Sequence, residues 1–175
     1  MSVKASARAG RLTVDVSITN DKTGHHVPTD SPLRNLILLV SATDEGGRTL
    51  RQIEGPTVPS WGGVGDPEKG YYAGLPGKGF AKILQELWTE VAPTGAYWNH
   101  TRLLSDNRLA AFATDSSSYT FVAPQGGTLL VDVTLVFRRA FKELADQKKW
   151  QDKDYVMASR SIVVPRNRPR PRVIE

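Results

Sequence analysis

Three histidines and no cysteine define what metal or acid–base chemistry this chain could do. His25 and His26 are adjacent in "TGHHVPTDSPLR", a stretch punctuated by Gly and Pro between two strand-like segments, and His100 stands apart. Imidazole is a common metal ligand, and a loop frees neighbouring residues from the alternation that a strand imposes. The pair together with His100 would offer three nitrogens to a divalent metal, with Asp30 or Asp106 as an oxygen ligand. The competing reading gives one imidazole to the loop backbone and leaves the other in solvent. Without cysteine, disulfides, thiolate catalysis, cysteine-ligated zinc and thioether attachment of haem are excluded within the chain.

Other chemical signatures fail on spacing. "GLPGKG" lacks the Ser or Thr that follows the lysine of a phosphate-binding loop, and it does not lead from a strand into a helix as a dinucleotide fingerprint does. No serine lies in a G-x-S-x-G elbow and no histidine in an H-E-x-x-H pair. A hydrolase assembled across loops, with His25, His26 or His100 as base, is a third reading that no spacing favours. The same loops also have a purely structural account. Arg34, at the mouth of an apolar strand, could pair with Asp30 or Asp106 and clamp the 23–34 loop to the segment that contains Asp106 and Arg108.

The net charge of +5 suggests nucleic acid until its location is read. The last eleven residues, "PRNRPRPRVIE", hold four arginines and one glutamate, and so carry +3 of it. The body is therefore nearly neutral, which argues against a nucleic-acid face. Alternating Arg and Pro cannot form a helix or a ladder, so residues 165–175 are expected to be an extended arm or linker after one domain over 1–164. No apolar run approaches the length that spans a bilayer. The N-terminus lacks the apolar core of a secretory signal.

Several elements must position these residues. In "RLTVDVSITN", Leu12, Val14, Val16 and Ile18 alternate with polar residues, the period of a strand with one buried face. "NLILLVSATD" starts with a continuous apolar run, as a strand covered on both faces would, and the glycines of "DEGG" suggest a hairpin with "RTLRQIE" returning. Residues 55–79 are dense in Gly and Pro with Trp61, Tyr71 and Tyr72 interleaved, so a long ordered loop pinned by its aromatics, or a binding surface, is expected. "FAKILQELW" spaces Phe80, Ile83, Leu84, Leu87 and Trp88 as one face of a short helix, and "AFKELADQKKW" gives a second. "SYTFVAP" and "TLLVDVTLVFRR" read as a hairpin, and "DYVMASRSIVV" as a final strand. Many strands with one or two short helices indicate an all-β antiparallel β-sandwich, immunoglobulin-like, with a jelly roll as the alternative.

The order of these segments resembles a known family. "VDVSITNDKTGHHVPTDSPLRNLILLVSATDEGG", then "GKGFAKIL", "TRLLSDNRLAAFATDSSSYTFVAP" and "LLVDVTLVFRRAF" are similar to the β-sandwich accessory domain beside the haem domains of multihaem c-type cytochromes. Gly24, His25, Pro28, Thr29 and Arg34 match that family's loop motif, and Asp106 and Arg108 its later D-x-R element. Asp30 departs from the motif, which usually has Gly there, and the C-x-x-C-H haem motifs are missing from this chain. The resemblance implies a non-enzymatic domain that partners a haem-bearing domain or electron-transfer protein in the periplasm or another extracytoplasmic space. It would cover or orient haems, dock a partner, or lend a histidine as axial ligand.

Overall fold

A computed structural model describes residues 1–151 and 153–165. The expected arm therefore lies outside the described residues, Pro165 excepted. The described residues form nine strands: β1 Ser2–Arg8, β2 Arg11–Thr19, β3 Asn35–Asp44, β4 Gln52–Glu54, β5 Gly77–Glu86, β6 Thr101–Asp106, β7 Thr114–Val122, β8 Leu129–Arg138 and β9 Tyr155–Val164. One helix, α1 Lys142–Gln147, and two single 3-10 turns accompany them. The strands make two antiparallel sheets, ordered β1-β2-β7-β4 and β6-β5-β3-β8-β9, so the all-β sandwich expected from the sequence is the fold.

Alternation places the core. Leu12, Val14, Val16 and Ile18 of β2 face Leu36, Leu38, Val40 and Ala42 of β3 and Leu129, Val131, Val133 and Leu135 of β8, with Phe80, Tyr119 and Phe121 filling the middle. Each buried Val, Leu, Ile or Phe side chain among them contributes about 1.5–3 kcal/mol. The opposite face of β3 is also covered. Ile37 packs there with Val58 and Val136, flanked by Leu39, Trp61 and Tyr72, which explains the unbroken apolar run.

Three expectations are corrected. The "FAKILQELW" segment is strand β5, not helix, paired with β3 from Asn35–Ala81 to Leu39–Gly77. A register shift between Ile83 and Leu84 breaks its alternation, so a bulged strand imitates helical spacing, and Leu87 and Trp88 lie exposed beyond its end. The expected hairpin of "SYTFVAP" and "TLLVDVTLVFRR" does not form, because β7 pairs with β2 and β4 whereas β8 pairs with β3 and β9 in the other sheet. Alternation assigns a buried face to a strand but not its neighbours. "RTLRQIE" returns only as far as a single Thr43–Thr49 bridge before β4 crosses to pair with β7. Strands β1 and β6 carried too weak an apolar period to be read in advance.

Candidate functional site

Asn20, at the end of β2, organises the histidine loop. Its Nδ2 donates to the carbonyl oxygens of His25 (2.8 Å), Leu109 (3.2 Å) and Ala110 (3.2 Å), and its Oδ1 accepts from the Thr23 hydroxyl at 2.7 Å. Paired amides of Val27 and Leu109 then join this loop to the segment after β6. His25 and His26 stay exposed, with His25 Nδ1 3.0 Å from the His26 carbonyl oxygen. Asp30 has φ 71°, a left-handed conformation that glycine adopts most readily and aspartate tolerates.

The charged pairs close within each loop rather than across them. Arg34 meets Asp30 at 2.7 Å with 35% and 67% of their side chains exposed, and Asp106 takes a bidentate pair from Arg108 at 2.8 and 2.6 Å. The Arg108 guanidinium holds the Asp106 carboxyl below its usual range, and the nearby His26 adds a smaller contribution. The residue between them bridges to the neighbouring strand. Asn107 Nδ2 donates to the Gly79 carbonyl oxygen at 2.6 Å and its Oδ1 accepts from the Ala81 amide at 2.9 Å.

The histidines do not assemble. The β5–β6 ladder pairs Lys82 with Asp106 at one end and Glu86 with Thr101 at the other. His100 precedes Thr101, which puts it roughly 17–20 Å along the strand from Asp106 and its neighbour His26. Among the described residues no three His, Asp or Glu side chains form a metal-ligand group.

The long loop is pinned as its composition suggests, and by a cation that sequence reasoning did not single out. Arg138, on the outer face of β8, donates to both Asp154 carboxylate oxygens at 2.8 and 2.6 Å, to the Gly62 carbonyl at 3.0 Å and to the Gly70 carbonyl at 2.7 Å. Its guanidinium lies 5.1 Å from the Tyr72 ring centre. Burial pushes the Tyr72 phenol above its usual range. Trp61 packs edge-to-face on Phe141 at 5.6 Å, seated against Gly79, where a Cβ would come within 2.3 Å of the indole. The Tyr71 hydroxyl donates to Asp146 at 2.6 Å under the Lys142 ammonium. A bidentate buried Arg–Asp clamp thus exists, but at Arg138–Asp154 rather than at Arg34.

The loop after β5 was also missed. Glu86 is 9% exposed and accepts from the hydroxyls of Thr89 (2.7 Å) and Thr94 (2.9 Å) and from Asn99 Nδ2 (3.0 Å), bonds that hold its carboxyl below the usual range. This buried carboxylate fixes a loop whose large apolar residues face outward: Trp88 is 80% exposed, Tyr97 91% and Trp98 71%. Between that loop and α1 runs a groove of about 850 Å³. Its available signal was "WTEVAPTGAYWN", richer in aromatics than the 55–79 loop but much poorer in Gly and Pro.

The architecture defines an all-β sandwich domain with loops gathered at its ends and over one outer face. Its fold is similar to part of a penta-heme cytochrome c552 from Thermochromatium tepidum, with a TM-score of 0.65 and 20% sequence identity over 93% of this chain. This chain spans 38% of that one. No protein-family model matches the sequence, and no curated protein does.

Proposed function

We propose that the chain is a non-enzymatic accessory domain working beside a haem-bearing polypeptide of the multihaem cytochrome type, in the periplasm or another extracytoplasmic space. The observation that carries this reading is the likeness of fold to a stretch of a penta-heme cytochrome, in agreement with the order of sequence motifs. Lacking cysteine, the chain cannot hold haem by thioether bonds, so its contribution is to cover, orient or dock haem-bearing neighbours. Rigid loops on a sandwich suit that role, because docking then costs little ordering. The exposed imidazoles of His25 and His26 would be available to a partner's iron or to a divalent metal; the Asp30, Arg34, Asp106 and Arg108 pairs would hold that edge in shape.

The test is the intact mass and visible absorption spectrum of this polypeptide isolated from its source organism under native conditions. A haem spectrum, with haem-stained polypeptide that is either continuous with the chain or bound to it, is expected. A colourless chain without haem-bearing company overturns the reading.

A further inference from the structure

We propose that the groove between the 86–100 loop and α1 is an interface between two copies of this chain, in which Tyr97 and Trp98 of each copy fill the groove of the other about a two-fold axis. This goes beyond the accessory role above and does not depend on it. The groove is about 850 Å³, and its apolar lining includes Leu33, Trp61, Phe141 and Leu144. Tyr97 and Trp98, edge-to-face at 5.0 Å, line one side of it and stand 91% and 71% exposed. Knob and hole are thus neighbours on one patch. Such a patch is self-complementary, since a two-fold axis beside the aromatic wall seats each knob in the opposite hole.

The exposed area matches what such an interface needs. Val91 and Trp150 line the same groove and are 53% and 47% exposed. With Tyr97 and Trp98 they present roughly 500 Å² of largely apolar surface, at about 150–250 Å² for a whole aromatic side chain. A standard interface takes about 800 Å² from each copy, about 65% of it apolar where two like chains meet, so the patch supplies that share. The wall is also ordered before anything docks. Glu86 ties Thr89, Thr94 and Asn99 together, and Gly95 lies so close to Leu33 that a Cβ would approach the isobutyl group to 2.6 Å. Association therefore costs little ordering.

Charge favours a second copy as the occupant. Of the charged residues that line the groove, Glu86 is committed to its three hydrogen bonds. Glu143 and Lys148 are exposed and, among the described residues, have no ion-pair partner. They stand at opposite ends of α1. Two such helices crossing antiparallel about the axis set Glu143 of each copy against Lys148 of the other, so both charges are answered by the same chain. One free charge of each sign leaves no net field to recruit a strongly charged occupant.

The test is sedimentation equilibrium of the purified chain up to about 100 µM, where a micromolar dimer is saturated. A reversible two-chain species is expected, at least tenfold weaker in Trp98→Ala and in Tyr97→Ala and within twofold of the parent in Trp88→Ala, a tryptophan outside the groove. Glu143→Lys and Lys148→Glu should each weaken self-association at least threefold, because each sets like charges together. Mixed one to one, those two variants should pair with each other at least as tightly as the parent pairs with itself, since every facing charge is then opposite. Circular dichroism and urea midpoints equal to the parent's qualify each variant. A parent that stays monomeric, an equal loss in Trp88→Ala, or single swaps that fail to pair with each other overturns the proposal. So does a monomeric parent that holds a haem-stained polypeptide and loses it in Trp98→Ala, which assigns the groove to that polypeptide and leaves the accessory role standing.

Discussion

Replacing Arg138 with methionine keeps most of the side-chain volume and removes every bond the guanidinium makes. Four are lost: two to Asp154, one to the Gly62 carbonyl and one to the Gly70 carbonyl. The Arg138 and Asp154 side chains are 6% and 19% exposed, so water replaces the missing partner only in part. Leaving one member of a buried pair unpaired costs about 3–5 kcal/mol, a large share of the 5–15 kcal/mol that typical domains have. At a urea slope of about 2 kcal/mol/M, that moves the midpoint down by roughly 1.5–2.5 M. Arg138→Lys keeps the charge, but one ammonium cannot reach Asp154 in bidentate fashion and both carbonyls, so about 1.5–3 kcal/mol is expected. Arg34→Lys is the control. Its pair with Asp30 is largely solvated, which limits the loss to about 0–1 kcal/mol. Replacing both members, as Arg138→Met with Asp154→Leu, should restore part of the loss, since no buried charge is then left alone. Urea unfolding followed by circular dichroism reads all four variants. A loss below about 1 kcal/mol in Arg138→Met, or equal losses in Arg34→Lys and Arg138→Lys, would refute the reasoning that the buried clamp anchors the 55–79 loop.

Other consequences can be checked in the same assay. Asn20→Asp puts a carboxylate against three carbonyl oxygens where a donor stood, so it should lose more stability than Asn20→Ala at neutral pH, and regain part of it as acid protonates the new carboxyl. If the alanine variant is the less stable of the two at pH 7, the donor role is wrong. Gly79→Ala forces a methyl into the indole of Trp61 and is expected to cost about 1–3 kcal/mol, with a shift in tryptophan emission, despite alanine's usual advantage in a strand. An unchanged emission maximum would contradict that packing. The folded-state pKa values of Glu86, Asp44, Asp106 and Asp146 all lie below the unfolded ones. Their contribution is therefore complete above the unfolded carboxylate range and is lost as pH falls through the depressed values. Stability should decline on acidification, and Glu86→Gln should make that decline shallower; an identical slope would show that the Glu86 bonds do not favour its ionised form.

How far the fold was legible depends on what each residue type can report. The sequence by itself determined the class, since Leu12, Val14, Val16 and Ile18 fit only a strand with one buried face, and the run from Leu36 to Val40 required cover on both sides. It also determined the punctuation, including α1 and the aromatic loop. Only the tertiary structure decided which strands meet. The period of a strand specifies a face and not a neighbour, so β7 and β8 could read as a hairpin and yet sit in opposite sheets. It also decided which cation is buried. Arg34 and Arg138 both border apolar strands in the sequence, but one ends at a solvated turn and the other lies beneath a loop that arrives from 68 to 76 residues away. Glu86 and the exposed Tyr97 and Trp98 belong to the same lesson. A carboxylate becomes the anchor of an aromatic wall only when the chain bends back to bring Thr89, Thr94 and Asn99 around it, and no local pattern encodes that closure.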